Sequence, residues 1–119
     1  MISDERFTKK EHLLKTKDFA KAYKKGRSFR CANIVLYCLP NTLKFNRLGF
    51  SISSKTVKHA TARNRIRRLL REAYRTGKKE LKSGFDLIVV VKKSVQVKAS
   101  YGEAREMLLG LLKSAGVSS

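Results

Sequence analysis

The sequence predicts a single α/β domain, a small sheet with amphipathic helices packed on it. Three observations carry that prediction. Thr61 to Thr76 and the stretch after Ser100 repeat their apolar residues at helical spacing. Three other segments are short, apolar and bounded by turn-forming residues, as strands are. The chain has 119 residues, 42% of them hydrophobic, which suits one domain with a modest core.

Each element follows from local chemistry. Residues 1–15 mix bases, acids and polar groups and read as an irregular basic arm. Thr16 offers an N-cap, Asp18 sits in the first turn and Gly26 is a stop, which predicts a helix over about 17–25. Arg30 to Leu39 reads as one strand, apolar on both faces and ended by Pro40. Asn41 to Asn46 is a turn or loop. Leu48 to Ser54 alternates, with Leu48, Phe50 and Ile52 on one side and Gly49, Ser51 and Ser53 on the other.

Thr61 to Thr76 is the clearest helix, with Ile66, Leu69, Leu70, Ala73 and Tyr74 on one stripe. Thr61 can cap its start and Gly77 its end. Lys78 to Ser83 is a polar connection, and Phe85 to Val91 is a third, strongly β-branched strand. Ser100 and Glu103 have the spacing of a capping box. Tyr101, Ala104, Leu108, Leu111 and Leu112 then line a last helix, and Gly116 to Ser119 are expected to fray. Phe50, Ile52, Phe85, Leu87, Val89 and Leu108 are the expected core.

Charge narrows the function. There are 28 Lys and Arg against 9 Asp and Glu, a formal net charge of +19. Such an excess repels itself and favours a polyanionic partner. Nucleic acid is the first candidate and an anionic membrane the second. The longest strongly apolar run, Leu87 to Val91, is too short to span a bilayer, so no membrane partner is expected. No apolar signal opens the chain, which makes the cytoplasm the expected address. Cys31 and Cys38, seven residues apart on one expected strand, would lie roughly 23 Å apart on opposite faces. A disulfide needs Cα atoms within about 7 Å, so both are expected as reduced, buried thiols. His12 and His59 complete no zinc-ligand spacing, so no metal site is expected on the protein.

The candidate interface is the arginine helix. Lys55 to Arg75 holds eight Lys and Arg and one acid, Glu72. At about 100° per residue from Arg63, the residues Asn64, Arg68, Arg71 and Arg75 fall between about 80° and 140°, opposite the apolar stripe near 300°. Arg63 and Arg67 border that stripe on one side, and Arg65 lies near its other edge. Arginine forks suit phosphate, and a helix N-terminus adds free N–H groups and partial positive charge. Exposed helix faces usually mix signs in i,i+4 pairs, and here only Glu72 can pair. The expected face therefore binds nucleic acid. A DNA major-groove helix is the weaker variant, because no helix-turn-helix partner or dimer element is evident.

No catalytic residue is expected on the chain. The acids Asp4, Glu5, Glu11, Asp18, Glu72, Glu80, Asp86, Glu103 and Glu106 are scattered, with no pair in a metal-holding motif. His12 and His59 lie in an arm and a helix approach, not in an acid–base motif. The pattern is that of a binding subunit.

At these residues the sequence resembles a known family. Lys55, Lys58, Ala60 and Arg63-Asn64-Arg65-Ile66-Arg67-Arg68-Leu69-Leu70-Arg71-Glu72 look like the RNR signature of the bacterial ribonuclease P protein subunit. Asp18-Phe19, Tyr23, Gly26, Val35-Leu36-Tyr37, Arg47 to Ser53, Gly84-Phe85-Asp86 and Ile88-Val89-Val90 follow the family pattern in order. The resemblance covers roughly residues 6–113. Ser54 departs from it, standing where a lysine is frequent, and Arg67 replaces a common lysine.

The resemblance implies an α+β two-layer sandwich over residues 1–119 as one domain. Its small central sheet would be mostly antiparallel, with a left-handed βαβ crossover like that of ribosomal protein S5 domain 2. It also implies a subunit of a ribonucleoprotein endonuclease that removes the 5′ leader of precursor tRNA. The catalytic centre would lie in the partner RNA, with Mg2+ held mainly by RNA and substrate phosphates. No protein partner is required. The catalytic RNA would be bound by Lys55, Lys58, Arg63, Asn64, Arg65, Arg67, Arg68, Arg71 and Arg75. On pattern alone, Phe19, Tyr23, Val35, Tyr37, Ser51 and Ser53 read as ordinary core or strand residues. The resemblance implies instead that they line a cleft for the single-stranded leader, whose bases stack on aromatic rings. A ribosomal or RNA-assembly protein is the competing expectation, sharing the charge and the fold without such a cleft.

Overall fold

The computed structural model describes residues 12, 15–31, 34–77, 80–92 and 101–117. The elements are α1 (Thr16–Lys25), β1 (Arg27–Cys31), β2 (Ile34–Pro40), β3 (Arg47–Ser51), α2 (Ala60–Gly77), β4 (Phe85–Val91) and α3 (Tyr101–Ser114). They form an α+β fold around a four-stranded mixed sheet of order β1-β2-β4-β3. β1–β2 and β2–β4 are antiparallel, whereas β3–β4 is parallel and joined through α2. β4 is central and reads Phe-Asp-Leu-Ile-Val-Val-Val, the near-continuous apolar run of a strand covered on both faces.

The main core lies between one face of the sheet and α2 and α3. Ile34, Leu36 and Cys38 of β2, Leu48 of β3, and Leu87, Val89 and Val91 of β4 point into it. Ile66, Leu70, Ala73 and Tyr74 of α2 meet them, with Ala104, Leu108, Leu111 and Leu112 of α3. Phe50 and Phe85 are half-buried at its margin. A fully buried Leu or Ile stabilises by about 1.5–3 kcal/mol, so this face dominates the fold. Among the described elements the opposite face carries α1, where Ala22 is buried on Ile88 and Phe19, Tyr37, Leu39 and Val90 pack around them.

Several boundaries differ from the sequence reading. The single strand expected over Arg30–Leu39 is a hairpin, β1 paired antiparallel with β2 from Arg27↔Cys38 to Cys31↔Ile34. Apolar residues run on across the turn, so pattern alone merges the two strands. The hairpin also corrects the cysteine geometry. Cys31 and Cys38 lie on neighbouring strands and face the same core. Cys38 is four positions beyond Ile34, the partner of Cys31. That is about 13 Å along the ladder, too far for a disulfide. Both thiols are free, Cys38 buried and Cys31 half-buried.

Helix ends shift by a residue or two. Lys15, not Thr16, holds the N-cap position of α1 and makes no side-chain cap bond. α2 begins at Ala60, so Thr61 lies inside it. Gly77 is the last residue of α2, packed under Leu109 of α3, where a Cβ would come 2.7 Å from Leu109 Cδ2. β3 stops at Ser51, because Ser53 accepts backbone bonds from Thr56 and Val57 and turns the chain. Of the residues expected to fray, Gly116 and Val117 are held in place, and Ser118 and Ser119 lie outside the described residues. Gly116 adopts φ +77°, its N–H reaches Lys113 O, and the Val117 N–H reaches Leu112 O. This is a Schellman closure, and Val117 is fully buried and bonded to Lys82. The expected arm is described only at His12, which bridges to Leu48, and at Lys15; Ser100 lies outside the described residues.

Candidate nucleic-acid interface

α2 divides its arginines by their angle from the buried stripe. Ile66, Leu70, Ala73, Tyr74 and Gly77 face the core. Asn64, Arg65 and Arg68 are exposed, and Arg63, Arg67, Arg71 and Arg75 are half-buried. Arg63, at the border of the stripe, donates Nη1 to the carbonyls of Val57 and Lys58 at 2.9 and 3.1 Å. It thereby pins the loop that exposes Lys55 and Lys58. Val57, 4% exposed, anchors the same loop in the core. Arg67 Nη1 donates to Asn64 Oδ1 at 2.9 Å, which orients both side chains along the helix. Arg75 is forked onto Glu72, the one acid of the segment. The Arg75 hydrogen bond holds the Glu72 carboxyl below the usual carboxylate range.

Two concavities flank the helix. A groove of about 500 Å³ is lined by Thr61, Arg65, Arg68, Leu69 and Glu72. On the other side, a cleft of about 230 Å³ is lined by His12, Phe19, Leu48, Gly49, Phe50, Arg67 and Arg71. Arg71 Nε is buried there without a hydrogen-bond partner. The arginines of α2 therefore point to two sides, Arg65 and Arg68 away from α1, Arg67 and Arg71 toward it.

The sheet face under α1 carries the aromatic group. Cross-strand register sets Arg30, Val35, Val90 and Ser51 in one row, and Ser28, Tyr37, Ile88 and Gly49 in the next. Phe19 and Tyr23, one helical turn apart, project from α1 beside these rows. Their ring centroids are 6.3 Å apart, and Tyr23 meets Tyr37 edge-on at 4.9 Å. Tyr23 remains 42% exposed. Such a group can stack unpaired bases, with arginine at either end for phosphate.

A third row, Leu39, Asp86 and Arg47, follows and lines a separate cavity with Asp18. Arg47 Nε and Nη2 donate to the two Asp86 oxygens at 2.8 and 2.7 Å. These bonds push Arg47 above its usual value, with burial opposing. Asn41 Nδ2 also donates to Asp86, at 2.9 Å.

A family model described as Ribonuclease P matches residues 7–116. The chain belongs to the ribonuclease P protein family. The ribonuclease P protein component of Alkaliphilus oremlandii is 42% identical over 85% of this chain and 87% of its own. That of Clostridium botulinum strain Loch Maree is 38% identical over 92% and 97%. Among solved structures, the Staphylococcus aureus RNase P protein superposes with a TM-score of 0.81 at 30% identity, covering 92% of this chain and 98% of that one. The Thermotoga maritima RNase P protein gives 0.78 at 31%, covering 87% and 96%.

Within the ribonuclease P protein fold, the expected cleft residues are brought together unequally. Phe19, Tyr23 and Tyr37 form one aromatic group. Val35 and Ser51 share a row, although Val35 is buried at 3% exposure. Ser53 lies past the strand, its hydroxyl donating to Thr56 Oγ1 at 3.0 Å and accepting from Thr56 N–H at 3.2 Å. Of the nine residues expected to bind the catalytic RNA, Arg67 and Arg71 border the cleft that Phe19 also lines. The sequence reading missed Arg30, exposed beside Val35, because it merged β1 with β2. It also missed the Arg47–Asp86 pair; both residues were visible in the chain, but nothing local brings them together.

Proposed function

We propose that this ribonuclease P family protein joins a catalytic RNA and a precursor tRNA, holding each on a different side of α2. The exposed Arg65 and Arg68, with Lys55 and Lys58 on the loop pinned by Arg63, bind phosphates of the catalytic RNA. Phe19, Tyr23, Tyr37 and the Val35–Ser51 row receive the single-stranded 5′ leader. Ser53 shapes the turn next to it. Arg67 and Arg71 border that cleft and bind backbone phosphate beside the stacked bases. The complex hydrolyses the phosphodiester that joins leader to tRNA, with chemistry supplied by the RNA. Three of the described acids are taken up by arginines, which supports a binding role: Asp86 and Asp18 face Arg47, and Glu72 faces Arg75. This reading leaves Mg2+ to RNA and substrate phosphates. Among the described residues, no three His, Cys, Asp or Glu gather to hold a metal.

The observation that carries the reading is the division of the arginine helix into an outer side and a side whose cleft is shared with Phe19, at the edge of the Phe19–Tyr23–Tyr37 group. A purely structural RNA binder needs the first and has no use for the second. No described helix is long and apolar enough to cross a membrane. The basic surface is assigned to nucleic acid because the chain belongs to the ribonuclease P protein family. The test is reconstitution. The purified protein is added to a bacterial ribonuclease P RNA at low magnesium, and 5′ cleavage of precursor tRNA is measured. Stimulation is expected; its absence would favour a ribosomal or assembly role.

A further inference from the structure

α1 is lightly held over the sheet. Of its 10 residues only Ala22 is buried, whereas α2 buries five of its 18. Its C-terminal end is fixed, because Gly26 leads directly into β1 and lies so close to Cys38 that a Cβ would come 3.1 Å from Cys38 O. Its N-terminal end has no side-chain cap. Beneath its first turns lies a cavity of about 200 Å³, bordered by Asp18, Lys21, Leu39, Leu43, Arg47 and Asp86. Phe19 packs beside Ala22 and Ile88, but the turn before it is exposed apart from half-buried Asp18, so apolar packing does not fix the height or tilt of that turn.

An ionic chain does. Asp18 Oδ2 lies 3.6 Å from Arg47 Nη1. Arg47 cannot follow α1 if the helix moves, because its fork occupies both oxygens of Asp86 on the paired strand β4. Asp86 is 5% exposed and also bound by Asn41. Breaking a buried pair of this kind is costly, so Arg47 is a fixed cation presented to the first turn of α1. The Asp18 carboxylate is also favoured at the positive end of the helix dipole.

We propose that Arg47 is a positioning residue for leader recognition: through Asp18 it sets the tilt of α1, and with it the separation of Phe19 and Tyr23 from Tyr37. The inference rests on the reading of the aromatic cleft as the leader site. Asp18 precedes Phe19 directly, and Tyr23 lies little more than a turn further, so a tilt at Asp18 moves both rings. Loss of the tie lets the helix settle toward the cavity and misplaces the stacking faces without removing any of them.

The test uses the full chain assembled with its catalytic RNA. Asp18→Asn removes the charge, keeps the shape and leaves the Arg47–Asp86 fork whole. The quantity read is the affinity for precursor tRNA divided by that for mature tRNA, at one salt concentration. Deleting the negative charge favours the extra phosphates of the leader, so a fall in the ratio does not come from the charge itself. The ratio is expected to fall about threefold, the range of a half-exposed ion pair. Asp18→Glu is expected to retain most of it, and affinity for the catalytic RNA to stay unchanged. On a Tyr23→Ala background, Asp18→Asn is expected to cost less, because one of the two rings it positions is gone. An unchanged ratio in Asp18→Asn overturns the proposal, as does an equal loss in both backgrounds, provided Tyr23→Ala alone lowers the ratio. If Tyr23→Ala leaves it unchanged, the leader reading of the cleft fails and takes this proposal with it.

Discussion

Tyr23 of α1 meets Tyr37 of β2 edge-on, with ring centroids 4.9 Å apart. The contact joins the most exposed ring of the cleft to a row of the sheet, so one aromatic wall bridges two elements. The edge-on geometry covers part of Tyr37 and leaves Tyr23, 42% exposed, as the open stacking face.

Replacement of Tyr23 by alanine is therefore expected to weaken binding of precursor tRNA by about tenfold, within the range of one lost base–aromatic stack. Binding of mature tRNA should change little. The comparison is made by titrating both RNAs onto the assembled complex. Equal losses would place Tyr23 outside leader recognition.

Arg68 and Arg63 should separate under salt. Arg68 is exposed and has no hydrogen-bond or ionic partner among the described residues. Arg68→Ala is expected to lower the salt slope of catalytic-RNA binding by about one and to leave the melting temperature unchanged. Arg63→Ala should also lower the melting temperature, because Arg63 satisfies the Val57 and Lys58 carbonyls and holds their loop. A salt titration paired with thermal unfolding measures both.

The two thiols should differ in reactivity and in pH response. Burial pushes Cys38 up to about 11, with Arg27 opposing, while the ordinary value is 9.0. The folded chain keeps this thiol neutral where the unfolded chain has already ionised. Its contribution to stability is fully present below about pH 9 and is lost as pH rises through about 11. In the native protein at pH 8, a maleimide is expected to modify half-buried Cys31 before Cys38. Mass mapping of the first adduct distinguishes them; labelling of Cys38 at the rate of Cys31 would contradict its burial.

Gly116→Ala tests the closure of α3. A Cβ at this position meets nothing within 4 Å, so the cost comes from the left-handed backbone alone. About 1 kcal/mol of destabilisation is expected, seen as a lower denaturant midpoint with an unchanged slope. A neutral outcome would mean that the Schellman closure does not hold in solution.

What was legible in the chain was the chemistry that repeats locally. The stripe of Ile66, Leu70, Ala73 and Tyr74 is buried as its spacing requires, and β4 is covered on both faces as its apolar run requires. The burial of Arg63 and Arg67 at the margin of that stripe follows from the same angles. The hairpin of β1 and β2 was not legible, because a turn inside an apolar run leaves no break in periodicity. Arg71 lay by angle on the outer face, yet β3 and α1 come close enough to bury its Nε.

The sequence by itself determined a basic α/β domain with one arginine-faced helix, because helix angle and charge are set by near neighbours. Only the tertiary structure decided that the arginines of this helix line two separate concavities. Only it brought Phe19 and Tyr23 to Tyr37, and Asp18 to Arg47 and Asp86. These pairings join residues far apart in the chain, and the register of the sheet and the docking of α1 create them after the local elements have formed.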